Sequence, residues 1–142
     1  MKTYIGTKVI NAEIVDQGEP DRDKQQDGYK VIYEGGYGSW SPRDVFEAAY
    51  QPLDAMNFGH AVHFLKLGKK VTRAGWNGSG MFVYLVPAAS YPVQTGAAAS
   101  HFGEGSMVPY RSYLALKTAQ GDVATWVPSC SDVLAEDWAV VE

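Results

Sequence analysis

Two aromatic corners carry most of the chemistry this chain offers. Trp76 lies in the run Gly75-Trp76-Asn77-Gly78-Ser79-Gly80. Glycines on both sides let the backbone approach a ligand closely. An indole beside an amide suits recognition of a nucleotide base: the ring stacks and Asn77 hydrogen-bonds. Stacking of this kind is worth roughly 1–3 kcal/mol per base. An indole folded back to plug the core fits the same residues. Trp126 precedes Pro128-Ser129-Cys130-Ser131-Asp132. That segment supplies hydroxyls, a carboxylate and a helix start whose free N–H groups suit an anion. A plain helix cap fits equally. Arg73, with Lys69, Lys70, Arg111 and Lys117, supplies positive charge within reach in sequence.

Groups able to catalyse are present but unpaired in sequence. His60 and His63 stand three apart, a spacing that can ligate metal, with no third ligand nearby. His101 sits in a long small-residue segment with no partner base or acid. Cys130 lacks the adjacent base that a nucleophilic thiol needs. Asp132, Glu136 and Asp137 read either as an acid–base set or as helix-capping, solvated carboxylates. Glycine-rich phosphate loops, nucleophile elbows, HExxH and paired CxxC motifs do not occur.

Alternating strand and helix signals hold these corners in place. Lys8 to Val15 reads as a strand and Asp16 to Asp27 as an exposed polar loop. Tyr29 to Tyr33 and Tyr37 to Trp40 form a hairpin around Glu34-Gly35-Gly36. Ser41 caps a short helix with Pro42 at its first position, Asp44 in its first turn and Val45, Phe46, Ala49 and Tyr50 on one face. Pro52 stops it. A second unit starts at Met56, where Asn57 caps a helix with a stripe of Phe58, Ala61, Val62 and Leu65, ended by Gly68. Strands follow at Lys69–Arg73, Met81–Val86, Ser112–Lys117, Val123–Val127 and Trp138–Val141. Ser131 is expected to cap a turn of helix through Leu134. Ala88 to Arg111 has no period and reads as a loop, long enough to be functional or disordered. The fold class expected is α+β: a small antiparallel sheet with one packed helix in residues 56–142, and a hairpin–helix extension in residues 1–55.

Composition narrows the partners. The chain has 142 residues, a net charge of −4 and one cysteine. Its pI is about 5.3. A binder of polymeric nucleic acid carries a basic face and a high pI, so no such partner is expected. A lone cysteine rules out an internal disulfide and a Cys-based zinc site. Neither a membrane span nor a secretory leader is visible. No cofactor and no metal are expected.

From Met56 onward the chain resembles a known family. The residues that carry the resemblance are Met56-Asn57-Phe58-Gly59, Gly68-Lys69-Lys70-Val71-Thr72-Arg73-Ala74-Gly75-Trp76-Asn77-Gly78 and Met81 to Pro87. Towards the end they are Lys117-Thr118-Ala119, Trp126-Val127-Pro128-Ser129 and Ser131 to Trp138. These blocks are similar to the second Thoeris anti-defence family of phages, over Met56 to Glu142. The resemblance implies a non-enzymatic sponge. Such a protein binds a cyclic nucleotide signal, a glyco-cyclic ADP-ribose made by a TIR-domain enzyme, or cyclic di- or oligonucleotides. It further implies a homotetramer with ligand sites at subunit interfaces, acting in the cytoplasm of the infected bacterial host. Trp76 and Trp126 fall on the family's aromatic positions, and Asn77 and Asp132 on polar ones. The expected ligand-binding set is therefore Arg73, Trp76, Asn77, Trp126, Ser129 and Asp132, with no catalytic residue. Two other classes fit the residues: an enzyme cleaving such a nucleotide through His101 or the carboxylates near Asp132, and a phage structural or adaptor protein using a Tyr-rich surface.

Overall fold

A computed structural model of the chain describes residues 1–15 and 27–142. The polar loop expected over Asp16 to Asp27 falls outside them, apart from its last residue. The chain divides into two units, Met1–Pro52 and Leu53–Glu142.

In the first unit β1 (Asn11–Val15), β2 (Gly28–Ile32) and β3 (Gly38–Pro42) form an antiparallel sheet in that order, followed by α1 (Arg43–Ala49). Val31 is buried in it. Gly28 is required by a close approach: a Cβ there would lie 2.5 Å from the Trp40 ring and from the Ser41 carbonyl oxygen. The cap of α1 differs from expectation. Ser41 stays in β3 opposite Tyr29, its hydroxyl turned to the Pro42 carbonyl, so the helix starts after Pro42 without a side-chain cap. Its aromatic face stacks inward, Tyr29 on Phe46 at 4.0 Å and Phe46 on Tyr50 at 4.9 Å between centroids.

The second unit runs α2 (Phe58–Lys66), β4 (Lys70–Arg73), β5 (Phe82–Val86), β6 (Ala89–Pro92), α3 (Gly96–Phe102), β7 (Met107–Tyr110), β8 (Tyr113–Lys117), β9 (Val123–Thr125), α4 (Cys130–Leu134) and β10 (Trp138–Val141). Five strands form one antiparallel sheet in the order β10-β4-β5-β8-β9. The class is α+β, as the sequence predicts. Asn57 caps α2 as expected, its side-chain oxygen accepting from the His60 N–H at 2.8 Å. The apolar stripe of α2 buries Ala61 and Leu65 against Met56, Val71, Val83 and Trp138. Each large side chain buried this way contributes roughly 1.5–3 kcal/mol.

The outer edge of β10 is covered by the chain entering the unit. Met56 exchanges both backbone hydrogen bonds with Trp138, and the Val140 N–H reaches the Leu53 carbonyl at 3.3 Å. This leaves no open edge on that side for a foreign strand to pair with.

The segment expected as a loop over Ala88 to Arg111 is built instead as a ribbon. β6 and β7 pair antiparallel, Tyr91 opposite Val108, beyond the paired strands β5 and β8. α3 closes its tip, capped by Thr95, which accepts from the Ala98 N–H. In this ribbon only Val108 is buried. No apolar period arises where no face is covered, and the composition therefore looked structureless. Among the described residues no helix is long and apolar enough to cross a membrane.

Candidate functional site

β4 delivers Arg73 to the end of the sheet, and the chain then turns tightly, the Trp76 N–H reaching the Arg73 carbonyl at 3.3 Å. Gly75 sits in this turn because its N–H donates to Asp137 Oδ2 at 2.7 Å, and a Cβ there would stand 2.8 Å from the same oxygen. Fifty or more residues later α4 returns to the same place. Its cap is Ser129 rather than the expected Ser131. Ser129 Oγ accepts from the Asp132 N–H at 3.1 Å, and Asp132 Oδ2 accepts from the Ser129 N–H at 3.0 Å. This reciprocal capping box satisfies two otherwise orphaned donors, an advantage Ser131 lacks.

Asp132 joins the two segments. Its Oδ1 accepts from Arg73 Nη1 at 2.8 Å and from Trp76 Nε1 at 3.1 Å. Its backbone carbonyl accepts from Trp138 Nε1 at 2.8 Å. Arg73 is shared, its Nε donating to Asp137 Oδ1 at 2.9 Å. Burial alone would raise the Asp132 carboxyl. The Ser129 N–H, Arg73, the Trp76 indole and the Ser129 side chain together outweigh it and bring the group to about 2. Asp137 is lowered too, first by its bond from Arg73, and Arg73 is raised by Asp137 and then Asp132.

Aromatic rings pack against this network. Trp76 meets Trp138 at 5.3 Å and Trp126 at 6.2 Å, near-perpendicular in both cases. Trp126 meets Trp138 at 6.0 Å, and Phe58 of α2 reaches Trp138 at 5.3 Å. Edge-to-face geometry at these separations is favourable for aromatic rings. Trp138 is fully buried, whereas Trp76 and Trp126 are half-buried.

The structure thus brings together Arg73, Trp76, Trp126, Ser129 and Asp132. Asn77 is exposed on the turn beside Trp76. Trp76 packs against the core cluster, as one of its two sequence readings has it, and stays partly exposed. Lys117, one of the five scattered cations, stands at the exit of the turn, Nζ donating to the Gly80 carbonyl at 3.1 Å. Asp137 and Trp138 were missed as site members. Their adjacency to Asp132 was visible, but their pairing with Arg73 and Trp76 is long-range. His101 lies elsewhere, on α3 against Phe102. Among the described residues no group of three or more His, Cys, Asp or Glu is placed to hold a metal.

The blocks that build this site fall inside a family match. The model of the Thoeris anti-defense 2-like domain matches residues 56–141. The chain belongs to that family. Thoeris anti-defense 2 of Bacillus phage SP01 is 41% identical over 87 residues, covering 61% of this chain and 94% of that protein. Every residue of the site described above lies within the Thoeris anti-defense 2-like domain, and the family assigns the chain a phage anti-defence role.

Proposed function

We propose that the chain binds and sequesters a cyclic nucleotide immune signal, a glyco-cyclic ADP-ribose or a cyclic di- or oligonucleotide, without degrading it. It would do so in the cytoplasm of the infected host, as a homotetramer with ligand sites at subunit interfaces. The observation that carries this reading is the mounting of Trp76 and Trp126. Both indoles keep an exposed part, while Asp132 and Trp138 fix the rest. A pre-set stacking surface spends little conformational entropy on capturing a base. Asn77 is exposed in the turn, and the Lys117 ammonium is bonded to the Gly80 carbonyl at its exit.

The character of Asp132 favours holding over cleaving. A general acid or base works best with a pKa near the operating pH. Asp132, at about 2 and bonded on both oxygens, stays ionised and occupied. The test is native mass spectrometry with a panel of cyclic nucleotides, followed by heat release and chromatography. Stoichiometric complexes and intact ligand recovered from a large molar excess support sequestration. Progressive conversion to a linear product would establish cleavage instead.

A further inference from the structure

The first unit carries a feature that its own sheet leaves unused. β1 pairs with β2 from Asn11 opposite Ile32, and the β2–β3 turn begins at once, with the Tyr33 N–H on the Tyr37 carbonyl. Lys8 reaches the last available neighbour, its ammonium 4.4 Å from the centre of the Tyr33 ring. Residues 1–7 therefore run past the end of the sheet. Seven residues can reach about 23 Å at the usual strand rise. This overhang carries Tyr4 at 85% and Ile5 at 100% exposure. Beside it, β1 is an end strand of its sheet, with Ile14 exposed at 55%.

Charge is divided along the same segment. Residues 1–12 hold Lys2 and Lys8 and no acid, while residues 13–52 hold nine acids against four bases. Among the described residues Glu13 meets Lys30, at 3.7 Å, with both side chains more than half exposed.

We propose that residues 1–7 of one copy lie antiparallel along residues 8–14 of a second copy, on the side of β1 to which no strand is paired among the described residues, and the reverse. The two three-stranded sheets then join into one of six strands. The register that sets Lys2 against Glu13 of the second copy also sets Ile5 against Ile10 and Tyr4 against Asn11. Opposite charges and an isoleucine pair thus face each other, repeated by the two-fold axis of the seam. Unpaired strand edges and extended segments with exposed apolar side chains are the usual elements of such strand addition. The inference concerns the first unit and does not depend on what the second unit binds.

The test uses the full chain in light and heavy nitrogen isotopes, mixed to exchange equilibrium and treated with a zero-length carbodiimide cross-linker. The Lys30–Glu13 link within one copy is the internal control. We expect a mixed-isotope Lys2–Glu13 cross-link. Tyr4→Ser/Ile5→Ser, at two highly exposed positions, should lower its yield at least about tenfold. Lys2→Glu should weaken protection of the residue 2–7 amides from hydrogen exchange, and adding Glu13→Lys should restore it. A Lys2–Glu13 link found only between like isotopes, an unchanged yield in the double-serine variant, or amides of residues 2–7 exchanging at free-chain rates would each overturn the proposal.

Discussion

The indole nitrogen of Trp76 donates to Asp132 Oδ1 at 3.1 Å across 56 positions of sequence. The ring that faces solvent and the carboxylate that anchors Arg73 are therefore one mechanical unit. A change at either residue is felt at both.

Asp132→Asn should show this directly. It removes the charge that Arg73 Nη1 meets, with both side chains less than one-fifth exposed. Losing one partner of such a pair leaves the other charge poorly compensated. The expected loss is about 2–4 kcal/mol of stability, read by urea unfolding at neutral pH. Arg73→Met, which removes the cation and keeps the apolar stem, should cost less than Arg73→Glu.

Acid should act through the same carboxylate. The ordinary value is 3.8 and the folded value about 2, so the ionised form is favoured by folding. Its contribution is complete above about pH 4 and is lost as pH falls through about 2, a difference of about 2 kcal/mol. Asp137 is shifted in the same direction. Melting temperature in the wild-type chain should fall steeply over that window, and in Asp132→Asn the fall should be shallower.

The two half-buried indoles should separate binding from stability. Trp126→Ala and Trp76→Ala should each weaken cyclic nucleotide binding about 5- to 150-fold, the loss of one stack. Both rings also pack on the buried cluster, so both variants should lose stability as well. Trp76→Phe keeps a stacking face and removes the bond to Asp132. It should retain most affinity while lowering the melting temperature. Calorimetric titration on folded protein checks all three, and unchanged affinity in both alanine variants would remove the stacking surface from the binding model.

Truncation should be sensitive to three residues. Residues 53–142 keep Leu53, whose carbonyl accepts from the Val140 N–H, whereas residues 56–142 do not. The longer piece should be the more stable in thermal unfolding. Equal melting temperatures would mean that the cover on β10 contributes nothing.

Gly28→Ala should strike the first unit alone. A Cβ there overlaps the Trp40 ring and a backbone oxygen, and the latter cannot rotate away. Overpacking of this kind costs about 1–3 kcal/mol. Ligand titration of the second unit should be unchanged while unfolding followed by Trp40 shifts to lower denaturant.

Local signals were readable from sequence and long-range ones were not. Asn57 and the stripe from Phe58 to Leu65 announce α2 because its cap and its buried face are both within ten residues. The capping box of α4 was equally local, yet Ser131 competes with Ser129 by type. Only the Asp three residues after Ser129 decides between them. The β6–α3–β7 ribbon escaped because a surface element with a single buried residue has no apolar period to read. The pairing of Arg73 with Asp132 and Asp137 spans about sixty positions. Composition shows the charges, but only the antiparallel seating of β10 beside β4 brings them together.

The crowding of Trp76, Trp126 and Trp138 gives the molecule an optical signature. Three of its four indoles sit with centroids 5.3–6.2 Å apart and planes near perpendicular. Transition dipoles that close and that skewed couple, so the far-ultraviolet dichroism should carry an exciton couplet. Excitation absorbed by any of the three is shared among them before it is emitted. A guest stacking on either outer ring would then quench the whole cluster. If the proposed function holds, occupancy of the site would be readable in the native emission, with no label attached.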